Sequence, residues 1–487
     1  MLLKAICKTS FRTLTTKSVL NSKPTNVLAP LQQYAPTFYT NGDNIKPLYQ
    51  PSDFYSHLKS SILSAKERVF IAALYIGQSE QELVDTLRRA LERTPTLQVD
   101  VLIDCLRGTR ASKGQSSATL LLPLIKDYPD RINIAMYHTP DLTGILKKTL
   151  PQRFNESIGL MHLKVYGFDN SVMLSGANLS TDYFTNRQDR YMIFDNQKAL
   201  TGYYHDLLKL VSDCSYQLNL PKHQEQAYSL TIKDDTADPV KDSRRYRRQV
   251  HQRLQQFIQA QEEKEHCEED GSADTAVLPV IQMGPFHIRQ DERLTLELLN
   301  IANRQQDNPW TIHLTSGYFN FTEKYKAFIL KTRARFRFLT ASPEANGFFN
   351  SKGVSRFLPP AYTFIERQFY RQVKRAGRQS EISIEEYKRP GWTYHAKGLW
   401  VNLGADDTLP SATMIGSPNF GQRSSERDLE AQALVITKNE NLRRALHKEV
   451  DLLHQHSEVV SNETFAKLDR QVPNGVKIAT AFVKTML

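Results

Sequence analysis

The chain carries His162-Leu-Lys164-Val-Tyr-Gly-Phe-Asp169 followed by Ser175-Gly176-Ala177-Asn178. It repeats the pattern as His395-Ala-Lys397-Gly-Leu-Trp-Val-Asn402 followed by Gly416-Ser417-Pro418-Asn419. Residues two apart on an extended strand point to the same face, so each His-x-Lys pair projects together. On a helix the two would diverge, and Val165, Phe168, Leu399 and Trp400 favour strand in any case. Asp169-Asn170-Ser171 reads as a tight turn into Val172–Ser175. Each copy is therefore expected to be a hairpin that presents His, Lys and Asn at one mouth.

This set of residues suits phosphodiester chemistry. One imidazole can attack phosphorus while a second protonates the leaving group, and two lysines and two asparagines can hold the phosphoryl oxygens. Neutral imidazole is the common side chain that serves as nucleophile or base near pH 7 without a large pKa shift. Its second nitrogen needs an acceptor to fix the tautomer and stabilise imidazolium. Asp189, in Asn186-Arg187-Gln188-Asp189-Arg190, is the candidate for orienting His162. Glu430, in Arg427-Asp428-Leu429-Glu430, is the candidate for orienting His395. A single His-x-Lys could be strand decoration, but a second copy with its own asparagine turn argues for one site built from two halves.

The twin motifs resemble the phospholipase D superfamily, whose two His-x-Lys-x4-Asp segments form one pocket between two similar α/β halves. Further stretches resemble the mitochondrial, phosphatidylglycerophosphate-forming branch of that superfamily. They are Gly176–Ser180 with Tyr183–Tyr191, Gln282–Phe286 with Ile288–Glu292, and Gly416–Phe420 with Arg427–Gln432. The likeness runs from about Pro36 to about Ile436. It implies transfer of a phosphatidyl group from CDP-diacylglycerol to sn-glycerol 3-phosphate with release of CMP, through a phosphatidyl-histidine intermediate. It also implies a catalytic set of His162, Lys164, Asp169, Asn178, Asp189, His395, Lys397, Asn419 and Glu430, with no cofactor and no metal. One departure is Asn402, where the pattern has aspartate, ahead of a longer loop through Gly404–Pro410. Because the first copy is the more complete, His162 is taken as nucleophile and His395 as acid and base, with the roles open to exchange.

At 487 residues the chain can hold two similar α/β halves, each a largely parallel mixed sheet flanked by helices. Val69–Tyr75, Leu97–Ile103 and Ile132–Tyr137 read as strands, alternating with helices at Glu80–Leu91 and Ala118–Ile125. The second half repeats the order with strands Thr311–Thr315 and Arg335–Leu339 around a helix at Glu323–Lys331. The division expected is 1–35 a mitochondrial targeting segment, 36–221 the first half, 222–276 a charged helical linker, and 277–487 the second half with a terminal helix. The targeting assignment follows from Lys4, Lys8, Arg12, Lys17 and Lys23 among many hydroxyls, with no acid before Asp43 and no continuous apolar run. The linker, with Arg244-Arg-Tyr-Arg-Arg248, is expected to be solvated or to rest on anionic lipid.

A net charge of +11 calls for an anionic partner, among which nucleic acid, an anionic membrane surface and phosphorylated small molecules all qualify. The presequence and the branch-specific stretches argue against nucleic acid, and a peripheral position on the mitochondrial inner membrane is expected. No apolar run reaches the length of a membrane span. Leu142–Leu150 with Arg153 and Phe154 sets aliphatic groups beside cations, as an interfacial segment or a plain surface helix would. Arg107, Arg110 and Lys113 share a Gly- and hydroxyl-containing loop that lacks Walker A spacing. They are candidates for binding the phosphate of glycerol 3-phosphate or the pyrophosphate of the CDP-lipid. Cys7, Cys105, Cys214 and Cys267 form no metal spacing, and His266-Cys267 and His454-Gln-His456 read as surface features. Two other functional classes remain: a nuclease on the same scaffold, and a non-catalytic lipid-binding scaffold.

Overall fold

Along the strand Arg68–Ala73, Val69, Ile71 and Ala73 face one apolar layer while Phe70 and Ala72 face another. Period-two alternation demands this of a strand buried on both sides. In the computed structural model, which describes residues 19–144, 155, 158–221, 223, 225–264 and 273–483, this strand belongs to the first of two mixed sheets. The strands expected from the sequence are present as Arg68–Ala73, Gln98–Asp104, Ile132–Tyr137, Thr311–Ser316 and Arg335–Ala341. The helices are present as Gln81–Arg93, Ser117–Asp127 and Glu323–Lys331. In Gln81–Arg93, Leu83, Val84, Leu87, Ala90 and Leu91 make the buried stripe that helical periodicity predicts.

The two sheets are built alike. In the first, Ile132–Tyr137, Gln98–Asp104 and Arg68–Ala73 pair in parallel. The hairpin Val165–Phe168/Ser171–Ser175 then joins antiparallel, followed by Tyr191–Phe194 and Ile45–Leu48. In the second, Ile382–Tyr387, Arg335–Ala341 and Thr311–Ser316 are the parallel trio. The hairpin Lys397–Asn402/Ala412–Gly416, then Leu429–Thr437 and Thr275–Met283, follow antiparallel. Within these two sheets parallel pairing is confined to the trios, whose neighbouring strands are joined by helical crossovers; the hairpins that carry the motifs return directly and must run antiparallel. Helices cover the outer faces. A central apolar layer, shared by both sheets and by the helices Lys198–Asp213 and Glu440–His454, joins the halves.

Three sequence expectations change. Residues 19–35, set aside with the targeting segment, are built into the second half: Val19, Leu20, Leu28, Leu31 and Ala35 are buried against Leu294, Leu298 and Ile301. The strand Phe38–Thr40 then pairs antiparallel with Thr275–Val277 of the second sheet before the chain crosses to the first. Second, the expected linker contains the helix Ser243–Glu262, but it is docked rather than solvated. Tyr246, Val250, Leu254 and Phe257 are buried in the central layer, and the Tyr246 hydroxyl donates to the Cys214 carbonyl at 2.7 Å. Its charge-dense sequence hid a narrow apolar stripe at helical spacing. Third, His454 is not a surface residue: its ring pairs with buried Glu385 at 2.8 Å. Residues 1–18, His266-Cys267 and most of the Leu142–Phe154 stretch lie outside the described residues.

Candidate active site

Each motif histidine is carried by a short ribbon made with the opposite half. The Met161 segment bridges Leu429 in parallel, with the His162 N–H donating to the Leu429 carbonyl and the Leu429 N–H to the Leu160 carbonyl, both at 2.8 Å. The counterpart is Thr393–Tyr394 paired in parallel with Arg187–Gln188, with the His395 N–H donating to the Gln188 carbonyl at 2.8 Å. The residue after each paired segment is the acid. Glu430 is thus delivered to His162 and Asp189 to His395, the reverse of the assignment expected from sequence proximity. Nδ1 of His162 lies 2.9 Å from Glu430 Oε2, and Nδ1 of His395 lies 2.6 Å from Asp189 Oδ2. The physical reason is the two-fold relation between halves: their motif strands meet across the interface, so the nearer acid in sequence is the farther one in space.

The cluster is buried, with His162, Lys164, His395, Lys397, Asp189 and Glu430 all at most 8 % exposed. Burial dominates its electrostatics. It pushes the Asp189 carboxyl up to about 6 and the Glu430 carboxyl up to about 7. It lowers Lys397 to about 8 and holds Lys164 and both imidazoles well below their ordinary values. After burial, the neighbouring lysine is the next cause for each imidazole, and His162 itself contributes to the lowering of His395. Two cations, two imidazoles and two acids therefore share one low-dielectric space. Lys164 Nζ donates to the His162 carbonyl at 2.7 Å, and Lys397 Nζ lies 3.8 Å from Asp189 Oδ2. Gly176 permits this approach: a Cβ there would collide with Asp189 Oδ1 and come within 2.8 Å of Lys397 Nζ.

The asparagines follow the hairpins as expected. Asn178 Nδ2 donates to the Tyr183 hydroxyl at 3.1 Å, and that hydroxyl lies 3.4 Å from His395 Nε2. Buried Oδ1 atoms of Asn178 and Asn419 have no hydrogen-bond partner. Tyr183 and Tyr318 set their rings edge-on to His395 at 5.2 and 5.8 Å. The two tyrosines were not singled out as site residues from the sequence. A usable signal existed for Tyr183: Asp189 follows Asn178 and Glu430 follows Asn419 by the same eleven positions, which marks the intervening helix turns as equivalent. Tyr318, from the strand end of the other half, had none.

Asp169 stands apart from this cluster. Its carboxylate accepts the backbone N–H groups of Lys66, Glu67 and Arg68 at 2.9, 2.8 and 3.0 Å, fastening the hairpin tip to the neighbouring strand. Asn402 instead donates to the Asp407 carbonyl at 2.9 Å within its own longer loop. Of the loop cations, Arg107 stacks its guanidinium on Tyr75 at 4.5 Å, and the Tyr75 hydroxyl lies 3.3 Å from Ser180 Oγ beside the first asparagine turn. Lys113 is exposed at the tip of a turn with a positive φ of 51°. Among the described residues one grouping has metal-ligand spacing, His162 with Asp428 and Glu430. There Asp428 is engaged by Arg423 Nε at 3.1 Å and by the Leu160 N–H at 2.9 Å, and Glu430 by His162. The hydrogen bonds of Asp428 and of Glu430 Oε2 thus serve an orienting network, while Glu430 Oε1 is buried without a hydrogen-bond partner.

No protein-family model matches the chain. It is 41% identical over 488 residues, 93% of this chain and 85% of the relative, to the mitochondrial CDP-diacylglycerol–glycerol-3-phosphate 3-phosphatidyltransferase of Gallus gallus. The Homo sapiens protein of the same name is 41% identical over 484 residues, with the same coverage. Among solved structures, a phosphatidylserine synthase from Haemophilus influenzae superposes with a TM-score of 0.70 at 19% identity, covering 96% of this chain and 100% of that one. That last likeness is one of fold.

Proposed function

The chain belongs to the mitochondrial CDP-diacylglycerol–glycerol-3-phosphate 3-phosphatidyltransferase family, and from that membership we propose how its buried cluster carries the reaction. The enzyme makes phosphatidylglycerophosphate and CMP from CDP-diacylglycerol and sn-glycerol 3-phosphate. In the proposed mechanism Nε2 of His162 attacks the phosphorus that bears the diacylglycerol. The bond to the CMP oxygen breaks, and His395, as imidazolium, gives that oxygen its proton. A phosphatidyl-histidine results. Glycerol 3-phosphate then enters, His395 takes the proton of its 1-hydroxyl, and the oxygen displaces His162 from phosphorus. Lys164, Lys397, Asn178 and Asn419 stabilise the equatorial oxygens, aided by a site with little water to screen them. Glu430 and Asp189 stabilise the imidazolium forms of His162 and His395 respectively.

The observation that carries this reading is the paired arrangement itself, two imidazoles each bonded through Nδ1 to a buried carboxylate of the opposite half. The division of roles is supported by the surroundings of Nε2. In His395 that atom faces the Tyr183 hydroxyl at 3.4 Å and Lys397 Nζ at 3.3 Å, two groups between which a proton can be passed. Among the described residues Nε2 of His162 has no hydrogen-bond partner, which leaves its lone pair for attack. Arg107, Arg110 and Lys113 are proposed to meet substrate phosphate at the rim, with Arg107 the best placed of the three. We place the enzyme peripherally on the inner membrane, where an anionic surface complements the +11 charge, and give it no nucleic-acid substrate. No helix of the described residues is long and apolar enough to cross a membrane.

Two in-line displacements retain configuration at phosphorus, so a chiral phosphorothioate donor should yield product with retention. Inversion would remove the covalent step. Release of labelled CMP should require glycerol 3-phosphate for turnover and should vanish in His162→Ala; persistence of turnover in that variant would overturn the assignment.

A further inference from the structure

Seven large apolar residues are exposed among the described residues, and three of them, Phe349, Val354 and Phe357, fall on one loop at 47%, 60% and 38%. The loop connects the strand Arg335–Ala341 to the helix Leu358–Arg375 through a 3-10 turn at Gly353–Phe357. Isolated exposed apolar residues are ordinary, but three together on one connection mark a surface that meets something less polar than water. Lys352 and Arg356 are exposed among them, the Arg356 guanidinium lying 4.7 Å from the Phe357 ring centre. Between Glu344 and Glu366 the chain carries no carboxylate. The loop is thus apolar and cationic without counter-charge of its own.

Ring contacts lead from this loop to the chemistry. Phe348, beside Phe349, lies 6.0 Å from Tyr318, whose ring is 5.8 Å from that of His395. A second cation–aromatic pair stands on the neighbouring loop: the Arg389 guanidinium lies 3.7 Å from the half-buried Trp392 ring. The two loops are joined where the Tyr394 N–H donates to the Ala345 carbonyl at 2.8 Å, immediately before His395. We propose that this rim is the membrane-docking face of the enzyme. Phe349, Val354 and Phe357 enter the acyl boundary of an anionic bilayer, and Lys352 and Arg356 meet headgroup phosphates. The occupant follows from charge complementarity and from continuity with a site whose donor is a diacyl lipid. Docked this way, CDP-diacylglycerol reaches His162 and His395 without leaving the interface. The inference rests on the membrane-surface reading above and gives it an address.

The test uses the full chain and compares wild type with the triple variant Phe349→Asp/Val354→Asp/Phe357→Asp. Leu220→Asp, at an exposed leucine on the far edge of the first sheet, is the control. Binding is read by flotation with vesicles of phosphatidylcholine and phosphatidylglycerol. Activity is read as CMP release from CDP-diacylglycerol in those vesicles and from a dispersed short-chain CDP-diacylglycerol. The triple variant should lose vesicle binding and vesicle activity about tenfold or more, and keep its dispersed-substrate rate within about twofold. Lys352→Ala/Arg356→Ala should weaken flotation only with the anionic vesicles. Equal flotation of triple variant and wild type overturns the assignment of the face. So does an equal loss with dispersed substrate, which would make the loop part of the catalytic pocket, or an equal loss in Leu220→Asp. A wild-type enzyme that turns over dispersed donor but never floats overturns the membrane-surface reading itself.

Discussion

His162 and His395 each take their carboxylate from across the interface, and double-mutant cycles on stability can measure this. Coupling of about 0.5–3 kcal/mol is expected for His162 with Glu430 and for His395 with Asp189, as for residues in direct hydrogen bond. The same-half pairs, His162 with Asp189 and His395 with Glu430, should couple less; the opposite ranking would return the pairing to sequence order. The same side chains set the pH profile. Burial raises Asp189 to about 6 and Glu430 to about 7, and lowers Lys397 to about 8. An imidazolium is stabilised only by an ionised acid, so kcat/KM should fall as pH drops through the window from 6 to 7. Lys397 stabilises phosphoryl oxygen only while protonated, so the rate should fall again as pH rises through about 8. Lys397→Arg keeps its charge at every working pH, so it should remove the part of the alkaline limb that belongs to Lys397 while its fork geometry lowers the maximum; the part that remains belongs to Lys164, which burial lowers as well.

At the scale of elements, the two hairpins were legible because His-x-Lys, a turn and an asparagine form a local pattern that needs no knowledge of the rest of the chain. The first parallel trio was legible for the same reason, since strand and helix periods alternate plainly around Val69, Val99 and Ile132; in the second, Thr311–Ser316 and Arg335–Ala341 were read but Ile382–Tyr387 was not. The ribbons that exchange the acids were not, because Thr393–Tyr394 and Arg187–Gln188 are two residues each and carry no periodic signal. The helix Ser243–Glu262 failed differently. Its arginines and glutamines outweigh its apolar positions, and only the spacing of the four buried ones, Tyr246, Val250, Leu254 and Phe257, betrays a buried face. Chemical denaturation should show the difference. Leu254→Ala, fully buried, is expected to cost about 2–5 kcal/mol through lost burial and the cavity left behind. Arg248→Ala, on the exposed side of the same helix, should stay within about 0.5 kcal/mol. Equal small effects would mean the helix is solvated after all.

Over the whole molecule, a targeting pattern and a structural segment share one stretch of sequence. The cations, hydroxyls and missing acids that read as a presequence extend past Val19, and composition alone sets no boundary between a transport signal and a folded segment. Packing can. Val19, Leu20, Leu28, Leu31 and Ala35 are at most 2% exposed and close the second half's outer core over Leu294, Leu298 and Ile301. Full burial of one large apolar side chain stabilises by about 1.5–3 kcal/mol. The three leucines and the valine together therefore approach the whole net stability of a domain, about 5–15 kcal/mol. The strand Phe38–Thr40, which caps the edge of the second sheet, depends on the same anchoring. Removal of residues 1–18 should accordingly leave a soluble enzyme with an unchanged melting temperature and full CMP release. Removal of residues 1–35 should yield aggregated or unfolded chain, read by circular dichroism melting and by the loss of CMP release. Any maturation cleavage of the transported protein should then fall before Val19, which mass spectrometry of the mature N-terminus measures directly; a mature protein beginning after Ala35 and still active would break the argument.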